Sequence, residues 1–120
     1  MTRTEPDPPN RPGPDGPSDR KVLDILDTAV RVMGGSPRLG QSTMVREVAR
    51  SVADGTHLLV QAGTGTGKSL GYLIPAMAHA VQAGHRVVVS TATLALQRQI
   101  LTKDAPLAAD AVEQITGTRP

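Results

Sequence analysis

The stretch QAGTGTGKS at residues 61–69 follows a short apolar run at residues 58–60 and decides the expected fold. It departs from the usual G-x-x-x-x-G-K-[ST] phosphate-loop pattern at one position, because Ala62 stands where the first glycine is expected. The three remaining glycines let the backbone curl so that successive N–H groups face an anion at the start of the next helix. A Gly/Thr-rich surface loop is the alternative, but the apolar run before it and the helical pattern after it favour a phosphate loop.

The predicted loop gives individual residues a role. The ammonium group of Lys68 is expected to contact the β- and γ-phosphates of a nucleotide, and the hydroxyl of Ser69 is expected to ligate Mg²⁺. Both are candidate catalytic residues, because phosphoryl transfer depends mainly on positioning and on stabilisation of charge. The predicted phosphate-binding residues are Ala62, Gly63, Thr64, Gly65, Thr66, Gly67, Lys68 and Ser69.

Bulk composition predicts one domain preceded by a tail. Six of the ten prolines of this 120-residue chain lie in residues 1–17, which contain almost no large apolar side chain. Such a segment cannot bury enough surface to offset the entropy of ordering, so residues 1–18 are predicted to be disordered and residues 19–120 to fold.

Composition also limits the function. The chain has no cysteine, which excludes disulfides and cysteine-ligated metals or clusters within these residues. A net charge of +2 without a Lys/Arg cluster permits nucleic-acid binding but does not argue for it. No apolar run reaches membrane-spanning length and no signal peptide is recognisable, so a cytoplasmic protein with no membrane partner is expected.

Periodicity predicts several elements around the loop. Apolar residues spaced by three and four predict helices from residue 18 or 19 to about 33, and over residues 42–54, 67–82 and 94–102. A weaker helical pattern covers residues 107–115, and Pro75 is expected to kink the third helix or to divide it near Ile74. Short apolar runs predict strands at residues 57–61 and 86–90.

Two strands joined by a helix predict a right-handed βαβ unit. The expected fold class is therefore α/β, with only the first βαβ part of a RecA-like phosphate-loop NTPase fold, preceded by two helices and the disordered tail. Neither predicted strand ends in the acidic residue that such an enzyme needs beside Mg²⁺. The domain is accordingly expected to be incomplete, and hydrolysis by this chain alone is not expected.

A group of small residues follows the second predicted strand. Thr93 is the expected N-cap of the next helix, and hydroxyls with free helix N–H groups can equally bind a nucleic-acid phosphate. The residues alone leave these two interpretations open. The group comprises Ser90, Thr91, Ala92, Thr93 and Leu94.

Three segments together resemble the DinG-like helicases, superfamily 2 DNA helicases related to the XPD group. They are RLGQSTM at residues 38–44, QAGTGTGKSLGYLIPA at residues 61–76 and VVVSTATLALQRQI at residues 87–100. The resemblance covers roughly residues 22–115, and the segments occur in the family's order. It implies that the chain is the N-terminal portion of an ATP-dependent helicase with ATP and Mg²⁺ as cofactors and single-stranded DNA as partner.

The resemblance also implies further roles. Gln41, which by itself is only a polar residue at a helix start, would recognise adenine, and Arg38 would flank the base or a phosphate. Residues 90–94 would contact the backbone of single-stranded DNA. An iron–sulfur cluster is implied only for a longer parent, because the chain holds no ligand for it.

Two alternatives remain at this point. One is a truncated module that binds nucleotide or DNA without catalysis, and the other is a different phosphate-loop ATPase or a small-molecule kinase.

Overall fold

The computed structural model describes residues 17–62 and 67–120, with the side chains of the first range described from residue 19 onward. The described residues fold into helices, and none of them forms a β-strand. The helical elements, in chain order, are α1 Pro17–Val32, α2 Leu39–Asp54, α3 Lys68–Ala83, α4 Leu94–Gln99, a π-helical turn Ile100–Asp104, and α5 Ala105–Thr116.

Helix α1 forms where its apolar spacing predicts it. Most of the predicted apolar stripe is buried, with Ile25, Leu26 and Ala29 fully inaccessible to solvent. Met33, the last member of the predicted stripe, is exposed because the helix ends at Val32, one residue before it. The helix therefore contributes one continuous apolar face to the core.

Helices α2 and α3 end as their sequences predict. Gly55 and Gly84 follow them directly and adopt left-handed conformations with φ of 68° and 67°, which terminate a helix at low steric cost. Pro75 was expected to kink α3 or to divide it near Ile74, and the division does not occur, because α3 runs through Pro75 as one helix. Pro75 is itself fully buried.

The core lies where α1, α2, α3 and α5 meet. Helix α3 is central and packs against both α2 and α5, while α1 packs against α2, α3 and α5. The largest fully buried side chains come from all four helices and are Ile25, Leu26, Val45, Ile74, Pro75 and Val112. This is a helix-on-helix core in which each backbone hydrogen bond is made locally.

A buried ion pair ties α1 to α2. Asp19 is only 4% exposed, and its carboxylate accepts a hydrogen bond of 2.9 Å from the Arg50 guanidinium. Because a buried carboxylate is costly without a partner, this contact fixes the start of α1 against the end of α2.

The C-terminal helices are continuous rather than separate. Residues 94–116 run through α4, the π-helical turn and α5 without a break. Ile100 is buried, but Leu94 and Leu101 of the same apolar pattern are largely exposed. Arg119 folds back on α5, where hydrogen bonds to Asp110 and then Glu113 raise the pKa of its guanidinium.

The predicted α/β fold is wrong for this structure. Residues 57–61 and 86–90, predicted as the strands of a RecA-like βαβ unit, are exposed and carry no strand pairing. Leu59 is 99% and Val88 is 89% exposed, whereas strands inside a parallel sheet would be covered on both faces. The physical reason is that a strand must find its hydrogen-bond partners on neighbouring strands. A sheet of two parallel strands leaves unpaired backbone groups along both edges and builds little core. Helices satisfy the same groups internally, so the described residues bury their apolar surface between helices.

Two further expectations concern the ends of the described structure. Residues 1–16 of the predicted disordered tail lie outside the described residues, and positions 17 and 18 form the start of α1. Within the described ranges, the helices are all too short or too polar to cross a bilayer.

Candidate functional site

The candidate site is centred on a contact between α2 and the residue that precedes α3. Gln41, in the first turn of α2, is 8% exposed, and its side-chain Nε2 donates a hydrogen bond of 3.3 Å to the Gly67 carbonyl oxygen. The same oxygen accepts the backbone N–H of Gly71 at 3.3 Å. A buried carboxamide needs such a partner, so Gln41 is tied to the exit of the predicted phosphate loop.

Gly67 is a position that only glycine fits without strain. Its φ of 69° and ψ of 41° place it in the left-handed region, which carries a steric penalty for residues with a Cβ. A Cβ at this position would also collide with Nε2 of Gln41. The conformation of the loop exit and the position of the Gln41 side chain are therefore linked.

A cavity of about 250 Å³ opens beside this contact. It lies between the end of α1, the connection to α2 and the start of α3, with apolar walls from Val30, Met33 and Leu70. Gln41, Gly67 and Arg38 also line it. Ligand cavities for drug-sized molecules begin at about 300 Å³, so this space suits one flat heterocycle with its substituent projecting outward.

The electrostatics next to the cavity favour an anion. Lys68 is exposed and Ser69 is half-buried in the first turn of α3, which contains no acidic residue. The first N–H groups of a helix lack acceptors within the helix and carry a partial positive charge. Arg38 is the N-cap residue of α2 and adds a second positive charge to the cavity wall. Together these residues can hold a planar apolar group on one side of Gly67 and a negatively charged group on the other.

The structure describes only part of the predicted phosphate loop. Residues 63–66, the centre of the predicted phosphate loop, lie outside the described residues. On the other side of them, Gln61 and Ala62 line a second cavity of about 640 Å³ together with the exposed residues 58–60 and Gln41. Gln41 therefore lines both cavities, and Ala62, Gly67, Lys68 and Ser69 are the loop positions that the structure describes.

Residues 90–94 lie at the start of α4, where Thr93 is the predicted N-cap. The Thr93 hydroxyl accepts the backbone N–H of Leu96 at 3.2 Å, which confirms the capping interpretation. Thr91 donates its hydroxyl hydrogen to the Thr93 carbonyl oxygen at 3.2 Å. Ser90 and Thr91 line a cavity of about 480 Å³ whose other walls come from residues 87–89, α3 and the C-terminal helices. Capping uses the Thr93 hydroxyl as an acceptor, while Ser90 keeps an exposed position.

Sequence reasoning missed part of the cavity wall. Residues 34–36, Gly-Gly-Ser, carry no motif that marks a binding site, yet they form one side of the cavity beside Gln41. It also missed the close approach of α2 and α3 at Gly71, where a Cβ would lie 2.6 Å from Sδ of Met44. The available signal was the glycine itself, since a glycine inside a helix often marks a close packing contact.

Comparison with known proteins gives a consistent set of similarities. The family model for the DEAD/DEAH box helicase matches residues 40–118. A protein of Mycobacterium tuberculosis (strain ATCC 25177 / H37Ra) called "ATP-dependent helicase DinG" is 48% identical over 99 residues, which is 82% of this chain and 15% of that protein. "ATP-dependent DNA helicase DinG" of Salmonella choleraesuis (strain SC-B67) is 51% identical over 73 residues, 59% of this chain and 10% of the relative.

A third relative has a different name. "3'-5' exonuclease DinG" of Bacillus subtilis (strain 168) is 47% identical over 77 residues, 64% of this chain and 8% of the relative. The chain thus spans a small part of the curated relatives it matches. No solved structure gives a significant match.

Proposed function

Because the chain belongs to the DEAD/DEAH box helicase family, we propose that it is the ATP-binding N-terminal portion of a DinG-like ATP-dependent DNA helicase. Residues 19–120 contribute to the ATP-binding domain, together with positions 17 and 18 at the start of α1. The observation that carries the proposal is the hydrogen bond between Gln41 and Gly67 at the edge of the 250 Å³ cavity. It brings a residue suited to base recognition next to the residue that leads into Lys68.

The adenine base is proposed to occupy this cavity. A glutamine carboxamide matches the donor and acceptor pair that adenine presents at N6 and N7, because it offers one acceptor and one donor in the same plane. Guanine presents two acceptors at the equivalent edge, so the same carboxamide cannot pair with both atoms. Apolar walls from Val30, Met33 and Leu70 can cover the faces of the ring, and Arg38 flanks the base or a phosphate.

The phosphates are proposed to bind across residues 62–69. The Lys68 ammonium and the N–H groups at the start of α3 stabilise the negative charge on the terminal phosphates. The Ser69 hydroxyl would hold Mg²⁺, which would supply positive charge to neutralise the phosphates. The positive first turn of α3 fits this group, since no carboxylate of that turn competes with the phosphates.

Contact with single-stranded DNA is proposed for residues 90–94. Hydroxyls and backbone N–H groups are common partners of phosphate oxygens, and such contacts position a strand without reading its sequence. The cap at Thr93 fixes the start of α4 and keeps Ser90 and Thr91 at its open end. Translocation and unwinding are properties proposed for the whole helicase. This chain contributes nucleotide binding to them, and hydrolysis by the chain alone is not proposed.

Base discrimination tests the proposal on the chain itself. The dissociation constants of ATP and GTP, measured by isothermal titration calorimetry with Mg²⁺, should differ by about fivefold or more in favour of ATP, since a bidentate base contact discriminates by about 1–3 kcal/mol. Gln41→Glu preserves the shape but replaces the donor, so it should remove the preference for ATP. Thr43→Ala, at an exposed position one turn along α2, is the matched control and should keep it. Equal binding of ATP and GTP by the unchanged chain would contradict the assignment of Gln41.

A graft tests the helicase part of the proposal. The matched 99 residues of the mycobacterial relative can be replaced by the corresponding residues of this chain, and ATP hydrolysis measured with and without single-stranded DNA. The graft should show DNA-stimulated hydrolysis that Lys68→Ala abolishes. If the folded graft binds ATP but its rate of hydrolysis does not rise with single-stranded DNA, the nucleotide site is retained. The proposed coupling through residues 90–94 is then refuted.

A further inference from the structure

Two histidines meet at the end of α3 that is remote from the proposed nucleotide site. Nε2 of His79 and Nδ1 of His85 lie 3.3 Å apart, and the ring centroids are 5.3 Å apart with the planes inclined at 58°. The rings are tilted rather than stacked, so the nitrogens, not the ring faces, make the contact. His79 lies eleven residues beyond Lys68, about 16 Å along the helix axis.

The distance between these nitrogens matches a pair of metal ligands. Imidazole nitrogens bind Zn²⁺ at about 2.0–2.1 Å in tetrahedral geometry, which places two ligand nitrogens about 3.3–3.4 Å apart. One proton or one metal ion can therefore bridge His79 and His85. The left-handed turn at Gly84 brings His85 back beside the last turns of α3 and fixes this spacing.

The surroundings leave room for a bound ion. His85 is exposed and His79 is partly exposed, so water can complete the coordination. The free carbonyl groups at the C-terminus of α3 favour a cation nearby. Arg86 and Arg119 line the same cavity as His85 and oppose a cation, but Arg119 is engaged by Asp110 and Glu113.

We propose that His79 and His85 form a binding site for a transition-metal ion of the class that prefers imidazole, with Zn²⁺ as the first representative. Among the described residues no third His, Asp, Glu or Cys completes a metal-binding group with them. Two protein ligands and open positions for water therefore make this an exchangeable site. Imidazole selects zinc, copper or nickel over magnesium, so the site is chemically distinct from the Mg²⁺ position proposed at Ser69.

Metal titration of the full 120-residue chain tests the proposal. Zinc binding is measured by isothermal titration calorimetry, and Co²⁺ is used as a spectroscopic substitute because tetrahedral cobalt absorbs visible light strongly. One ion should bind per chain. His79→Ala and His85→Ala should each weaken zinc binding by at least about tenfold, since even loss of an outer partner of a metal ligand costs about 10- to 100-fold in affinity.

The third histidine of the chain provides the matched control. His57 is exposed and belongs to the segment between α2 and α3, so His57→Ala should bind zinc as the unchanged chain does. Circular dichroism shows that each variant is folded. Absence of zinc binding by the unchanged chain would overturn the proposal and leave the contact as a hydrogen bond between two imidazole rings. Unchanged affinity in both His79→Ala and His85→Ala, or loss of binding in His57→Ala, would also overturn it.

Discussion

The link between Gln41 and Gly67 makes Gly67→Ala an informative substitution. A Cβ at Gly67 must enter the left-handed region of the backbone and must also displace Nε2 of Gln41. Gly55 provides a matched control, because it has nearly the same φ, 68° against 69°, and nothing within 4 Å of an added Cβ. The two variants share the backbone penalty and differ in the contact with Gln41.

The expected magnitudes follow from these two terms. Placing alanine in the left-handed region costs about 1–2 kcal/mol, so Gly55→Ala should reduce the free energy of unfolding by that amount. Gly67→Ala adds the lost hydrogen bond, about 1 kcal/mol net, together with the displacement of a buried side chain, so it should cost about 1–2 kcal/mol more than Gly55→Ala. In a Gln41→Ala background this extra cost should disappear.

Urea unfolding followed by far-ultraviolet circular dichroism measures these differences. The four chains of a double-mutant cycle, with Gln41 and Gly67 each replaced alone and together, should give a coupling energy of about 1–2 kcal/mol. If Gly67→Ala costs no more than Gly55→Ala, or if the cycle gives no coupling, the contact between α2 and the loop exit is refuted.

Three pairs of substitutions test the fold by the same unfolding assay. Leu26→Ala in the core should cost about 2–5 kcal/mol, while Leu59→Ala in an exposed segment should change stability by less than about 0.5 kcal/mol; a large loss for Leu59→Ala would mean that this segment is buried. Arg50→Ala removes the partner of a buried aspartate and should cost about 1.5–3 kcal/mol, whereas Arg31→Ala breaks an exposed pair and should cost about 0–1 kcal/mol; equal losses would argue against a buried ion pair. Thr93→Ala should cost about 1 kcal/mol through loss of the N-cap, and Thr93→Ser should restore most of it; a serine variant as unstable as alanine would count against capping.

Local signals predicted the helices well. The apolar stripe of α1 and the glycines after α2 and α3 specify those elements through interactions within a few residues, and the structure places the helices there. Thr93 was predicted as an N-cap for the same reason. Such features depend on spacing and side-chain chemistry that the sequence displays directly.

The prediction of two strands was wrong because strand formation depends on partners that are distant in the sequence. The runs at residues 58–60 and 87–89 have strand-like composition, but a strand needs a neighbour on each edge and cover on each face. Both segments are exposed in this chain, and the core is completed by α1 and α5 instead. The π-helical turn that joins α4 to α5 had no sequence signal that periodicity analysis detects.

The candidate site was predicted in part. Gln41 and Gly67 were singled out separately, and the structure adds the hydrogen bond that joins them and the cavity beside them. The contribution of residues 34–36 to the wall depends on how the end of α1 turns toward α3, which sequence spacing does not encode. Roles for the individual loop residues stay predictions.

Binding of ATP to the chain and to its Lys68→Ala variant tests the central claim most directly. The unchanged chain should bind ATP in a saturable, Mg²⁺-dependent manner, as measured by calorimetry. Loss of a charged contact to phosphate, about 1.5–3 kcal/mol, should weaken the affinity of Lys68→Ala by at least about tenfold. Lys21→Ala, which removes an exposed lysine near the start of α1, should bind as the unchanged chain does. Equal affinity in Lys68→Ala and Lys21→Ala, or absence of ATP binding to the unchanged chain, would contradict the assignment of residues 61–69 as a nucleotide-binding loop.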